Sequence, residues 1–198
     1  MPTFRRALAA LPLALALTAA GAAAQAAAGS STGANTRGTA QGGAQGSAAA
    51  PGASSLSQTD QAYFKKNAQG SVYDLTLAQL GVLRGSTPRV RDYASMVVTD
   101  HARLNVMMLG LATRERLYDL PLTLAPDDNT RLQRLTGLTG PAFDRAFADE
   151  EVRINAEDVS DSQQELGATK SAAVRRVVET FHQTESKHLA GARALVGR

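Results

Sequence analysis

The chain has 198 residues, of which 21 are Lys or Arg, 18 are Asp or Glu and none is Cys. Three of the basic residues precede Ser57 whereas every acidic residue follows it, so the remainder of the chain carries no formal net charge. This balance predicts no nucleic-acid partner, and the absence of cysteine excludes disulfides, thiolate metal ligands and a cysteine nucleophile.

The N-terminus has the layout of a secretory signal peptide. Arg5 and Arg6 precede an apolar run over residues 7–20, and small residues follow at 21–24. The apolar run is shorter than the about 20 residues that span a bilayer, which favours a cleaved leader over an uncleaved anchor. We therefore predict a signal peptide over residues 1–24, with cleavage after Ala24 or Ala26, and a protein exported to the periplasm or cell envelope.

Residues 25–56 form a second segment, composed mostly of Ala, Gly, Ser, Thr and Gln. Such a composition cannot bury enough apolar surface to offset the entropy of ordering, so it predicts a disordered linker. The linker is either a simple spacer or a tether that holds the following domain away from the membrane.

Residues 57–198 show helical periodicity throughout and predict one domain. Ser57 and Asp60 have the spacing of a capping box at the start of a first helix. Its apolar face is Phe64, Ala68, Leu75, Ala78 and Val82. Gly85 suits the end of this helix, and Thr87 with Pro88 suits the start of a second helix over residues 88–117. The second helix carries the stripe Val90, Ala94, Val97, His101, Leu104, Met108 and Leu111.

The segment 119–140 is too long for an unstructured loop in a compact domain, and Leu132, Leu135 and Leu138 predict a short helix within it. Pro141 opens a third long helix that ends near Gly167. A fourth begins at Thr169 or Ser171 and carries Val174, Val178, Phe181, His188, Ala192 and Leu195. Two helical hairpins joined by one long connection predict an all-α fold: a ferritin-like antiparallel four-helix bundle whose crossover contains a short helix.

Two histidines fall on the apolar seams of this bundle. His101 lies on the second helix and His188 on the fourth, whereas we interpret His182, next to a seam residue, as a surface group. Because an unsatisfied buried polar group costs about 1–3 kcal/mol, each seam imidazole needs a hydrogen-bond partner or a metal ion. Structural hydrogen bonds across the bundle remain an alternative to metal binding.

Carboxylates near these histidines favour a metal site. Glu185 shares a helix face with His188, and Asp74 flanks the apolar face of the first helix. The candidate metal ligands are therefore His101, His188, Glu185 and Asp74, and imidazole with carboxylate suits Mn, Fe or Zn. Asp100 is expected to be an outer partner or a surface charge. Five acids of the third helix could also face inward: Glu150, Glu151, Glu157, Asp158 and Asp161.

A complete di-metal site needs a Glu three residues before each of two histidines. Glu185 satisfies this for His188, but Val98 stands three residues before His101. The pattern is half present, so a mononuclear site is favoured over a ferroxidase-type centre.

Several motifs resemble those of a bacterial family of exported ferritin-like proteins, whose members carry a domain of unknown function and are often labelled predicted outer membrane proteins. The motifs are Val97-Val98-Thr99-Asp100-His101, Leu120-Pro121, Gly140-Pro141-Ala142-Phe143-Asp144-Arg145-Ala146-Phe147 and His188-Leu189-Ala190. The resemblance implies a ferritin-like bundle in the cell envelope and no settled activity. The resemblance also implies that this chain departs from the family pattern at two positions, since members commonly have Glu at the position of Asp74 and His at that of Asn155.

The sequence favours a non-catalytic envelope-stress or interaction module as its function. The alternative is a periplasmic protein that binds Mn, Fe or Zn through its histidines and carboxylates. No catalytic residue is assigned, and the question of enzyme activity stays open with a non-enzyme favoured. No strand pattern or second apolar segment would hold the mature domain in a bilayer, so we predict no stable membrane insertion.

Overall fold

The computed structural model describes residues 54–197, and this part of the chain is helical without strands. The predicted signal peptide and residues 25–53 of the predicted linker lie outside the described residues. The helices are α1 (Gln58–Arg84), α2 (Pro88–Arg114), α3 (Pro126–Thr136), α4 (Gly140–Ala168) and α5 (Ala172–Leu195). The all-helical prediction is confirmed, and the short helix in the long connection is α3.

The helix starts follow the capping residues of the sequence. Ser57 accepts a hydrogen bond from the Asp60 backbone N–H, and the Asp60 carboxylate accepts one from the Ser57 N–H, which completes a capping box. Thr87 and Ser171 cap α2 and α5. Helix α2 ends at Arg114, before the predicted position 117, because the chain turns at Arg116, where φ is 61°.

The long helices form two hairpins that pack against each other: α1 with α2, and α4 with α5. At one end of the bundle the Ser55 backbone N–H donates to the Glu115 carbonyl across 3.2 Å. At the other end Arg84 donates to the Leu138 carbonyl, and the Ser86 N–H donates to the Asp144 carboxylate. The connection from α2 to α4 therefore runs along the length of the bundle, and α3 lies within it.

Two apolar clusters fill the bundle, with a layer of polar side chains between them. One cluster includes Phe64, Leu104 and Phe181, and the other includes Val97, Phe147 and Ala192. Along α2 the order is Val97, His101, Leu104, so His101 lies where the two clusters meet. The polar layer consists of Ser71, Asp74, His101, Glu151, Asn155, Glu185 and His188.

The predicted apolar face of α1 was wrong in part. Leu75 and Val82 are only partly buried, whereas Ser71, Asp74 and Gly81 are buried. A Cβ atom on Gly81 would lie 2.6 Å from Phe147 Cε2, so glycine is what allows α1 and α4 to approach at this point.

Leu56, in the last position of the predicted linker, is 6% exposed and packs in the first cluster. None of the described helices combines the length and apolar character that crossing a membrane requires.

Candidate metal centre

The centre of the polar layer is formed by two imidazoles with one carboxylate between them. His101 comes from α2, and Glu185 and His188 come from α5, where they lie one helical turn apart. The two ring centroids are 5.5 Å apart. Glu185 Oε1 lies 3.8 Å from His101 Nε2, and Glu185 Oε2 lies 3.5 Å from His188 Nδ1. Each oxygen of Glu185 therefore faces a different imidazole.

The other nitrogen of each ring faces a second carboxylate. His101 Nδ1 is 3.9 Å from Asp74 Oδ2 and 3.5 Å from Ser71 Oγ. His188 Nε2 is 3.1 Å from Asp100 Oδ2. In metal sites a ligating histidine usually donates its second ring N–H to a carboxylate or carbonyl, which fixes the ring and leaves the other nitrogen free to bind. His188 has this arrangement with Asp100, whereas the hydrogen-bond partner of His101 Nδ1 is Ser71 and Asp74 lies beyond hydrogen-bond distance.

The inward-facing atoms of α5 lack partners. Glu185 Oε2 and His188 Nδ1 are fully buried and form no hydrogen bond. Because an unsatisfied buried polar atom costs about 1–3 kcal/mol, these two atoms need either a proton between them or a metal ion. One ligand atom from each of His101, Glu185 and His188 lies within 4.8 Å of the other two. A metal ion about 2 Å from each atom would satisfy them after small side-chain movements.

The electrostatics of the centre differ between the two imidazoles. Burial lowers the pKa of His101, which favours the neutral ring that a metal ion needs. Burial also acts to lower the pKa of His188, but Glu185 and Asp100 outweigh it and the pKa is raised. A cation at the centre would replace the proton that this pair of carboxylates attracts.

Helix α4 contributes Glu151, which the sequence analysis named only as one of five acids that could face inward. Glu151 is completely buried, and its Oε2 accepts hydrogen bonds from Tyr93 and Asn155 at 3.0 and 3.1 Å. Burial raises the pKa of Glu151 to about 7, against the opposing effect of the Tyr93 hydrogen bond. Its spacing of four residues from Phe147 was the signal that could have placed it on the buried face.

The structure thus brings together three of the four predicted ligands, His101, His188 and Glu185, and places Asp74 behind the His101 ring. Asp100, predicted to be an outer partner or a surface charge, lies 3.1 Å from His188 Nε2 across the bundle. The interpretation of His182 as a surface group was wrong, because the residue is partly buried and its Nδ1 lies 2.9 Å from Ser162 Oγ.

Comparisons with known proteins concern both the sequence and the fold. The family described as Domain of unknown function (DUF4142) matches residues 45–195. No curated protein matches the chain in sequence.

Among solved structures, a DUF305 fragment from Deinococcus radiodurans is similar with a TM-score of 0.65 at 16% identity, covering 72% of this chain and 98% of the fragment. CopM in its Cu(II)-bound form has a TM-score of 0.60 at 14% identity, covering 68% of this chain and 93% of CopM. CopM in its Cu(I)-bound form has a TM-score of 0.60 at 15% identity, covering 70% and 95%. At these identities the likeness concerns the helical fold.

Proposed function

The chain belongs to the DUF4142 family, and we propose that it is an exported protein that binds one transition-metal ion inside a ferritin-like bundle. His101 Nε2, His188 Nδ1 and a Glu185 oxygen are the proposed ligands. The observation that carries the proposal is Glu185, whose two oxygens face two buried imidazoles without forming a hydrogen bond to either.

Two imidazoles and one carboxylate are borderline ligands, which suit Zn²⁺, Fe²⁺ and Cu²⁺ and bind Mn²⁺ least strongly. CopM, which shares the fold, is described in copper-bound forms, and this adds Cu²⁺ to the ions expected from the sequence. The chain has no cysteine, so the centre lacks the thiolate that would favour Cu⁺. Zn²⁺ is the first ion to test because it has no redox chemistry.

The outer carboxylates give the site its preorganisation. Asp100 lies at hydrogen-bond distance from His188 Nε2, and Asp74 lies 3.9 Å from His101 Nδ1 on the far side of that ring, so Asp74 is a positioning residue in this proposal rather than a direct ligand. An ion bound by three protein ligands keeps an open coordination position, which suits storage, sequestration or chemistry on a bound water.

We favour metal binding over the stress or interaction module because the polar layer supplies a set of ligands, whereas no feature of the described residues identifies a protein partner. Export rests on the predicted leader over residues 1–24, and the periplasm or cell envelope follows from it. The ferritin-like assignment rests on the two hairpins and the connection that runs along the bundle.

The test is metal stoichiometry on the tag-free exported protein after dialysis against Zn²⁺. We expect one zinc per chain by elemental analysis, lost in H101A and in H188A. H182A is the matched control, because His182 lies on the same helix as His188 but contacts Ser162 instead of the centre. Absence of bound zinc, or zinc that both centre variants retain, would overturn the proposal.

A further inference from the structure

A cavity of about 200 Å³ lies between α1 and α4, next to the candidate metal centre but separate from it. Asp74 is shared by the two, since it lines the cavity and also lies 3.9 Å from His101 Nδ1. With roughly 30 Å³ for each water molecule, the cavity has room for a hydrated ion. Its lining includes Tyr63, Asn67, Asp74 and Asp158.

Acidic residues outnumber basic residues in the lining of the cavity by five to two. Its two basic residues already have acidic partners: Lys66 pairs with Asp161 at 2.5 Å, and Arg153 pairs with Glu157 at 2.8 Å and with Glu150 outside the cavity. Within residues 54–197, Asp128 and Asp158 form no salt bridge. Burial raises the pKa of both carboxyl groups, and a cation in the cavity would favour their ionised forms.

A second observation concerns two uncharged oxygens of residues that line the cavity. The Tyr63 hydroxyl and the Asn67 Oδ1 are buried and have no hydrogen-bond partner. Tyr63 is only 9% exposed, so its hydroxyl cannot rely on bulk water. Burial raises the pKa of Tyr63, and Asp158 gives the largest of the electrostatic effects that add to it.

We propose that this cavity is a second cation site, which takes a hard divalent cation of the Ca²⁺ or Mn²⁺ class on oxygen atoms. Carboxylate and amide carbonyl oxygens are the donors that such ions prefer, whereas the centre at His101 and His188 offers nitrogen. Tyr63, Asn67 and Asp158 supply the oxygens, with Asp74 on the inner wall. The two sites therefore select different classes of metal, and Asp74 lies beside both.

Terbium is a suitable probe because Tb³⁺ occupies oxygen sites and its emission is sensitised by nearby tyrosine. The chain has no Trp, and Tyr63 and Tyr73 line the cavity. With tyrosine excitation of the full exported protein, we expect saturable Tb³⁺ emission at one ion per chain, which Ca²⁺ displaces. D158N should weaken Tb³⁺ binding by about tenfold or more, since affinity in such sites follows the number of charged ligands.

Two controls keep this test separate from the test of the proposed function. H101A/H188A should retain the Tb³⁺ signal, and D158N should retain one zinc per chain. D92N, on an exposed part of α2, should leave both unchanged. Circular dichroism checks that D158N folds, and Y63F, which removes one oxygen ligand, provides a second variant with the same expected loss of affinity. For Y63F the affinity is taken from the titration midpoint with Tyr73 as sensitiser, because the substitution itself lowers the emission intensity.

Emission that does not saturate, or that D158N and Y63F both leave unchanged, would overturn the second site whatever the zinc result. Saturable emission in a protein that binds no zinc would support the second site while the proposed function fails.

Discussion

The bundle buries carboxyl groups in two regions, and different neighbours offset the desolvation cost of burial in each region. In the central polar layer, Glu185 lies between two imidazoles. Near the first turn of α1, Asp60 and Glu165 lie together, 2% and 3% exposed, and Ser57 and Thr169 donate hydrogen bonds to Asp60. Both regions contain buried oxygens without hydrogen-bond partners, including Glu185 Oε2, Asp60 Oδ1 and Glu165 Oε1.

A shared proton can satisfy the carboxyl pair of the second region. Burial and the hydrogen bond to Asp60 raise the pKa of Glu165 to about 7, so the protonated Glu165 donates to the Asp60 carboxylate. The pKa of Asp60 is lowered, because the hydrogen bonds from Glu165, Thr169 and Ser57 outweigh burial. The central layer differs in its nitrogen ligands, which a metal ion can join to the carboxylate. The chemistry of the neighbours, not burial itself, separates a structural pair from a candidate binding site.

The largest expected effect is loss of metal from the centre. Glu185→Gln replaces one of the two oxygens that face the imidazoles with an amide N–H₂, so stoichiometric zinc binding should be abolished. Isothermal titration with Zn²⁺ measures this. Glu179→Gln, at an exposed position of the same helix, should bind zinc like the original protein. Unchanged zinc affinity in Glu185→Gln would remove this residue from the centre.

A smaller effect is expected from the carboxylate behind His188. Asp100→Asn keeps the shape but weakens the orientation of the ring, so zinc affinity should fall by about 10–100-fold with the stoichiometry preserved. Competition with a zinc-binding dye gives the affinity. Asp92→Asn, also on α2, is the control, and a Kd for Asp100→Asn equal to that of the control would show that Asp100 has no part in metal binding.

The Asp60–Glu165 pair should respond to pH instead of metal. The folded protein holds the Glu165 proton up to about pH 7, whereas the unfolded chain releases it near the ordinary glutamate pKa of about 4.3. The folded state therefore binds more protons in this window, and the free energy of unfolding falls as pH rises through it.

Glu165→Gln keeps a donor for Asp60 without the titration, so the fall should become shallower. Urea unfolding at a series of pH values between about 4.3 and 7 measures the slope. An equally steep slope in Glu165→Gln would show that this carboxyl is ionised in the folded protein.

The smallest effect concerns the cap that holds Asp60. Ser57→Ala removes the hydroxyl that accepts from the Asp60 N–H at 3.1 Å and donates to its carboxylate at 2.8 Å. The free energy of unfolding should fall by about 1 kcal/mol. Thermal unfolding without zinc measures this, and the number of zinc ions bound per chain should not change. A loss of zinc in Ser57→Ala would contradict the independence of the two regions.

The sequence was sufficient for the helices and for the two histidine seams, because capping residues and apolar spacing are local signals. The sequence did not predict which positions are buried where polar residues occupy the core. On α1 the apolar spacing predicted that Leu75 would be buried, whereas the burial of Ser71 and Asp74 depends on the polar side chains of α2 that face them. The pairing of Asp100 with His188 joins residues on different helices, and only the packing of α2 against α5 brings them together.

X-ray absorption at the zinc edge of the zinc-loaded protein tests the candidate centre most directly. The structure predicts two imidazole nitrogens and at least one carboxylate oxygen around zinc, with Zn–N distances of about 2.0–2.1 Å. The imidazole scattering should be lost in the H101A/H188A variant. A spectrum of oxygen ligands alone would contradict the assignment of His101 and His188 as metal ligands.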